Sequence, residues 1–423
     1  MQVCPKHCIC FMQDHEGFFY PKIDVDSCIQ CGLCNRVCPV LHPFDLHKSL
    51  EVLAAINKDE GIRMDSSSGG VFSLLGERII SQGGTVFGVR FDEQWQAVFD
   101  SAETYEGLAA FRGSKYLQAR VGESFAQCKC LLDQGRLVLF SGTPCQIAGL
   151  LHFLRKPYSN LLTVDFICHG VPSPKVWQRY LDEAVKAGKQ AITDIKFRDK
   201  RLGWKRFCFA LKYNEQHRSY TLTSTFSQNP FMRAFLSNMI LRPSCHSCPA
   251  KGGKSQSDIT IADFWGIDQV NPEMFDDRGT SLVLIHTEKG QLAMDRNHLK
   301  LASASYEDVL NFNRSWKESS VCHPKRSEFF VAFNDQVDLH NLIEKCLRPS
   351  LKRRIKNRIN IYSLFVKKLI ADSQGGYSVC GGKTLETTQK TSCCSHELHI
   401  QSIKFRSKSH SWKCYEMEIL LSE

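Results

Sequence analysis

Nowhere in these 423 residues does an uncharged apolar run approach the roughly 20 residues a membrane-spanning helix needs. The first residues show no basic region followed by an apolar run, so no secretory leader is expected. No G-x-G-x-x-G follows a strand-like run, which leaves a Rossmann dinucleotide site without support. No repeat of fixed period appears, and no constellation of His, Asp and Glu marks an acid–base pair. Acid is missing from one place in particular. Residues 348–371 hold eight Lys or Arg and no Asp or Glu, so a net charge of +10 leaves only +2 for the rest. No aromatic stacking platform accompanies that charge, and nucleic acid is not an expected partner.

Cysteine is what the chain has in excess, with 20 residues. A leaderless, cysteine-rich chain fits a reducing cytoplasm, where thiolates hold metal and do not pair as disulfides. Cys28, Cys31, Cys34, Cys38 and Pro39 spell C-x2-C-x2-C-x3-C-P, the spacing that holds a [4Fe–4S] cluster in bacterial-type ferredoxins. Zinc sites also use C-x2-C pairs, but separate two of them by a longer loop. The motif therefore predicts electron transfer.

The preceding residues, Met1-Gln-Val-Cys4-Pro5-Lys-His-Cys8, end a first motif of the same kind at Cys4-Pro5. Its three leading cysteines are expected ahead of residue 1. Glu16-Gly-Phe-Phe-Tyr-Pro21 reads as the hairpin between the halves of such a module. In two-cluster ferredoxins the last cysteine of each motif serves the other cluster. Cys4 is thus expected to complete the set Cys28, Cys31 and Cys34. Cys38 is stranded unless a single-cluster arrangement recruits it. Cys8 and Cys10 are expected as free thiols near a frayed end.

The expected fold is α/β (α+β overall). Residues 1–45 form a small ferredoxin-like iron–sulfur module, and 46–345 a mixed α/β flavin and iron–sulfur domain whose halves meet near 155. Residues 346–371 form a basic amphipathic helix, and 372–423 a disordered tail. In the basic segment Leu351, Ile355, Ile359, Tyr362, Val366 and Leu369 recur at three- and four-residue steps. Such a helix suits peripheral contact with an anionic inner membrane face, or docks on its own domain with a solvated basic face. In the tail Cys380, Cys393, Cys394 and Cys414 have no metal-like spacing. Residues 46–60 read as a helical connector. Ser66 to Gly70 leads into a helix stopped by Gly83-Gly84, and Thr85–Phe91 is a strand.

Arg136–Phe140 and Leu161–Ile167 read as parallel strands around a helix that Thr143 caps and Pro144 opens. Cys145 then falls in the first helical turn, where the helix N-terminus favours thiolate, and Cys168 follows the second strand. Both lie at the sheet edge where parallel sheets bind ligands. With Cys245 and Cys248 they supply four ligands for a further [4Fe–4S] cluster. The plainer alternatives are two small buried hydrophobes and a zinc half-site. Ser67, Ser68, Gly69 and Gly70 at a helix start could cradle an anion, and Gly113, Ser114, Lys115 and Tyr116 add a cation and an aromatic ring. Plain helix capping is the alternative for the first group. His169, beside Cys168, is the one acid–base candidate, with a structural hydrogen bond as its other role.

Several blocks in order carry a family resemblance over about residues 4–345: Ser66-Ser-Ser-Gly-Gly-Val-Phe72, Arg112-Gly-Ser-Lys-Tyr116, Phe140-Ser-Gly-Thr-Pro-Cys-Gln146, Cys168-His-Gly-Val-Pro-Ser173, Cys245-x-x-Cys248 and Ser257-Asp-Ile-Thr-Ile-Ala-Asp-Phe-Trp-Gly266. The chain resembles the beta-subunit family of coenzyme F420 hydrogenases and dehydrogenases. The resemblance implies FAD beside a [4Fe–4S] cluster, with Ser67–Gly70 and Gly113–Tyr116 touching the flavin. It also makes Cys145, Cys168, Cys245 and Cys248 the inner ligands. Ala262 stands where the family pattern carries Gly. The implied activity is an oxidoreductase that relays electrons from the ferredoxin-type cluster through the second cluster to FAD. Coenzyme F420, a surface-polysaccharide-related substrate, a redox partner protein or a catalytic subunit would take the electrons. The alternatives are an electron-transfer adaptor without its own substrate and a zinc-stapled interaction protein.

Overall fold

Thirteen strands in three sheets organise the computed structural model, which describes residues 2–348 apart from 187 and 336. The tail expected at 372–423 and residues 349–371 of the basic helix expected at 346–371 lie outside the described residues, while Cys346 and Leu347 end the helix Leu339–Leu347. No helix among the described residues is long and apolar enough to cross a membrane.

An antiparallel hairpin comes first, β1 (Ile9–Gln13) with β2 (Phe19–Ile23), followed by the single turn Leu33–Arg36 that carries Cys34. The large sheet holds eight strands: β3 (Glu51–Asn57), β4 (Thr85–Phe91), β5 (Ala97–Ala102), β6 (Val138–Ser141), β7 (Leu161–Phe166), β11 (Ile259–Asp263), β12 (Ser281–Ile285) and β13 (Leu299–Ser303). Their spatial order is β13-β3-β12-β11-β7-β6-β4-β5. The stretch β11-β7-β6-β4 is parallel, and the flanking pairs are antiparallel. Its central strands read as continuous apolar runs because both faces are covered. Val138, Leu139 and Phe140 are all fully buried.

A second sheet, β8 (Ile192–Asp199), β9 (Cys208–Glu215) and β10 (Arg218–Thr225), closes over an aromatic core around Trp177, Phe197, Phe209 and Phe231. Gln216 and His217, both at positive φ, make the two-residue turn between β9 and β10 that matches strand twist.

The segment 46–60 departs from the helical connector expected of it. Residues 51–57 are β3, inserted between β12 and β13. Leu53, Ala54, Ala55 and Ile56 are buried on both faces, a burial that no amphipathic helix period could supply. The helix Val71–Ser81, the strand β4 and the parallel β6–β7 pair stand where the sequence puts them.

Candidate metal centres and cofactor loop

Five thiols surround one hollow in the N-terminal module. Cys4, Cys8, Cys28, Cys31 and Cys34 line it together with Gly32 and Leu33. Gly32 sits at φ 69° ahead of the turn Leu33–Arg36, a left-handed position that suits a residue without Cβ. Cys38 is not among the lining residues, and neither is Cys10. Cys8 differs from its expected place at a frayed end: it is buried, with its Sγ 3.4 Å from that of Cys4. Backbone N–H groups and the shared Sγ–Sγ hydrogen bond split the pair. The N–H of Cys8 foremost, then the Cys8 thiol, and then the N–H groups of Lys6 and His7, draw the Cys4 thiol below its ordinary value. The hydrogen bond with Cys4 first, and then burial, push Cys8 up. Cys4 is accordingly the readier thiolate, the form that binds iron.

The second set gathers at the carboxyl edge of the parallel strands. Thr143 and Gln146 form a capping box at the helix Pro144–Leu154, which sets Cys145 in the first turn just beyond β6. Cys168 follows β7 by two residues. Cys245 rides on the 3-10 turn Pro243–Ser247, and Cys248 is its C-cap. A short antiparallel clamp joins the last two segments. Ser173 N–H donates to Ile240 O at 3.0 Å and Arg242 N–H to Val171 O at 2.9 Å, around the bridge Pro172–Leu241. Gly170 permits the approach. At φ 147°, a Cβ there would stand 2.9 Å from Leu241 Cδ1 and 3.3 Å from Cys245 Cβ.

The four thiols sense one another. Burial first, then charge on Cys145 and Cys245, pushes Cys168 far up. Burial also raises Cys145, and raises Cys245 to about 11, with neighbouring thiols adding to each. The helix N-terminus was expected to favour a Cys145 thiolate, and desolvation outweighs it. Cys145 nonetheless keeps an exposed surface. Thiols raised in this way ionise together around a multivalent cation, and four clustered cysteines are the donor set an iron–sulfur cluster takes. Among the described residues, no group of three or more His, Cys, Asp or Glu is placed to hold a single metal ion.

Cations and hydrogen bonds missed by the sequence reading support this set. Lys251 Nζ donates to the backbone oxygen of Cys168 and, at 2.7 Å, to that of Ser315. Val171 N–H donates to Cys245 Sγ at 3.5 Å, and Cys248 N–H to Ser319 Oγ at 3.0 Å. Arg242 lowers both Cys145 and Cys245, and its guanidinium lies over the Tyr20 ring of β2 at 4.3 Å. One arginine thus touches the N-terminal hairpin and acts on the inner thiols. His169 is half-buried against Phe235 with its ring nitrogen Nε2 unpartnered, and desolvation lowers it.

The two loops expected at the flavin meet. Ser67 Oγ pairs with Ser114 Oγ at 2.8 Å and accepts from Ser114 N–H at 2.8 Å. Gly69 is demanded by its neighbours, since a Cβ would fall 2.3 Å from Ala55 O on β3. Gly70 caps the helix Val71–Ser81 at φ 84°. Cations crowd this loop, and no short motif announced the buried Lys200 and Arg198. Lys200 Nζ donates to the carbonyls of Arg63, Ser68 and Arg278 at 2.6, 2.9 and 2.7 Å. Arg198 pairs with Asp263 at 2.9 Å and keeps its Nε unpartnered. Lys115 Nζ donates to the carbonyls of Ala110 and Arg112, each at 2.8 Å. Burial pulls Lys115 and Lys200 down to about 7. Tyr116 stacks on Phe235 at 4.8 Å, so one ring face is spent in the core.

Residues 135–306 match the family model for the C terminus of the coenzyme F420 hydrogenase/dehydrogenase beta subunit, and residues 21–41 match that for the 4Fe-4S binding domain. A 7Fe ferredoxin of Hydrogenibacillus schlegelii is 50% identical over 40 residues, which is 10% of this chain and 45% of the ferredoxin. The chain therefore spans less than half the length of that relative. A chain of the F420-reducing [NiFe] hydrogenase complex from Methanosarcina barkeri superposes with a TM-score of 0.44 at 16% identity, covering 69% of this chain and 91% of that one.

Proposed function

We propose that this chain is an iron–sulfur flavoprotein oxidoreductase, in which the C-terminal domain of a coenzyme F420 hydrogenase/dehydrogenase beta subunit, at residues 135–306, stands behind a 4Fe-4S binding domain. Cys28, Cys31, Cys34 and Cys4 would hold the outer [4Fe–4S] cluster, and Cys145, Cys168, Cys245 and Cys248 an inner one. Ser67–Gly70 and Gly113–Tyr116 would hold FAD. Bound there, the clusters supply one-electron transfer, and the flavin joins it to two-electron chemistry. The carrying observation is Arg242, which stacks on Tyr20 of the module and bears electrostatically on two inner thiols.

The residues around the Ser-Gly loop suit a diphosphate. Lys115 and Lys200 are desolvated cations with ordinary values drawn down to about 7, so an incoming anion would restore their charge. Arg198, with Nε unpartnered, adds a fixed positive group. Backbone carbonyls position both lysines before any ligand arrives. The electron acceptor is a deazaflavin or a surface-polysaccharide-related substrate, reached alone or through a partner protein.

Anaerobic reconstitution with iron and sulfide tests this. About eight iron atoms per chain, with one extractable FAD, is the expected result. Iron without flavin would favour an electron-transfer adaptor. Stoichiometric zinc in place of iron would sink the redox reading.

A further inference from the structure

The outer thiol hollow has a neighbour. Leu33, which lines that hollow, also lines a groove between the module and the end of the helix Pro144–Leu154. Phe44 and Leu151 add apolar lining, and Phe44 is fixed there by stacking on His152 at 4.1 Å. Arg36, Arg155 and Lys156, all exposed, supply the charge. Among the described residues no carboxylate lines the groove. Asp133, at 3.7 Å from Lys156 Nζ, offsets that lysine in part. The N-terminal module is apolar at its surface too: among the described residues, nine of the 21 exposed large apolar side chains belong to residues 2–50, with Ile29 57%, Val40 66% and Leu41 59% exposed.

We infer that this groove docks an acidic one-electron carrier protein against the outer thiol set, an inference that rests on the cluster reading above. An apolar centre with a charged surround is how weak, short-lived redox interfaces are built, and unbalanced charge speeds their encounter. Complementarity argues against the chain's own basic segment 348–371 as the occupant, because it carries the same sign. Leu33 lines both the groove and the thiol hollow, so a carrier seated there is held next to the site it serves. One electron would leave the carrier's reduced iron–sulfur cluster and enter the outer cluster, with no bond made and no proton moved.

The test is calorimetric titration of the full, iron-loaded chain with a purified acidic two-[4Fe–4S] ferredoxin in its oxidised form. Binding should appear at low salt and weaken about tenfold or more by roughly 0.5 M salt. The pair Arg155→Glu/Lys156→Glu should weaken it about tenfold, and Arg36→Glu should act in the same direction. Arg218→Glu, on β10, should leave it unchanged. Iron is assayed in every variant beforehand, so loss of the cluster and loss of docking are read separately. Affinity unmoved by both groove variants, or lowered equally by Arg218→Glu, overturns the assignment. So does a DNA duplex that binds as tightly with the same sensitivity to the variants.

Discussion

Cys4 and Cys38 carry the same side chain and, on this structure, unequal weight. Cys4 faces the hollow shared by Cys28, Cys31 and Cys34, and three backbone N–H groups favour its thiolate; Cys38 does not line that hollow. Cys4→Ala is therefore expected to lose outer-site iron about as severely as Cys31→Ala, and Cys38→Ala to lose little. Cys8, 3.4 Å from Cys4, is the natural substitute ligand, so Cys4→Ala/Cys8→Ala should be worse than Cys4→Ala alone. A silent Cys4→Ala beside a severe Cys38→Ala would reverse the ligand assignment. His286 bears on acid stability. It is 2% exposed, shares hydrogen bonds with Thr260 at 2.9 Å and Ser49 at 3.3 Å, and lies parallel to Trp316. Burial lowers it from 6.5 to about 4. The unfolded chain then binds more protons between those values, so His286 contributes stability that is full above pH 6.5 and lost as pH falls toward 4. The span corresponds to about 3 kcal/mol. Asp165, raised to about 6 by burial, acts oppositely in the same window, which masks the slope in the parent protein. Denaturant unfolding at pH 4.5 and 7 should therefore show His286→Gln less acid-sensitive than the parent. Equal pH dependence in the two proteins would rule the effect out.

At the scale of elements, the legible parts were those written in short sequence. Thr143-Pro144 announces its helix through local hydrogen bonds, and that helix starts where expected. The parallel pair β6–β7 follows from two apolar runs around one helix, and it carries Cys145 and Cys168 to one edge. What could not be read depends on distant partners. Residues 51–57 become a strand because β12 and β13 lie on either side, more than 220 residues further along the chain. Lys200 and Arg198 reach the Ser-Gly loop from β8 and the turn after it, with no spacing to betray them. Arg242 likewise becomes informative only once Tyr20 is beside it. The clamp between residues 170–173 and 240–242 is the element-scale device that assembles the inner set, and Gly170 is its weak point. Gly170→Ala places a Cβ against Leu241 and Cys245 at a φ that alanine resists. The expected outcome is loss of inner-site iron with the outer site retained, seen as a halving of iron per chain. Retention of both sites would mean that the two segments can part slightly without losing the ligand geometry.

The whole described molecule depends on how the N-terminal hairpin is seated. Its tip is not a solvated spacer. Phe18 is fully buried in the aromatic core of the second sheet, edge-on to Phe330 at 6.4 Å. Gly17 is pressed against Lys175, where a Cβ would fall 2.2 Å from that residue's own Cβ. Glu16 pairs with Arg326 through both oxygens, one bond at 2.8 Å, and both side chains are about 10% exposed (Arg326 10%, Glu16 11%). Arg326 also donates to Leu241 O at 3.1 and 2.9 Å. A continuous path of contacts therefore runs from the hairpin through Arg326 to the segment bearing Arg242 and Cys245. Phe18→Ala should cost about 3–5 kcal/mol, as for a buried aromatic ring in a core that closes incompletely. Glu16→Ala, which leaves a buried guanidinium unpaired, should cost a similar amount, about 3–5 kcal/mol. Both losses should appear in the global unfolding of the body by circular dichroism, and not only in bleaching of the outer cluster. The reason is that Phe18 packs in the body's aromatic core and Glu16 pairs with Arg326 there, while the outer thiols belong to the module. If either variant bleached the outer cluster at low denaturant and left the body's transition within about 0.5 kcal/mol of the parent, the module would be a separately folding unit and the path through Arg326 mechanically idle.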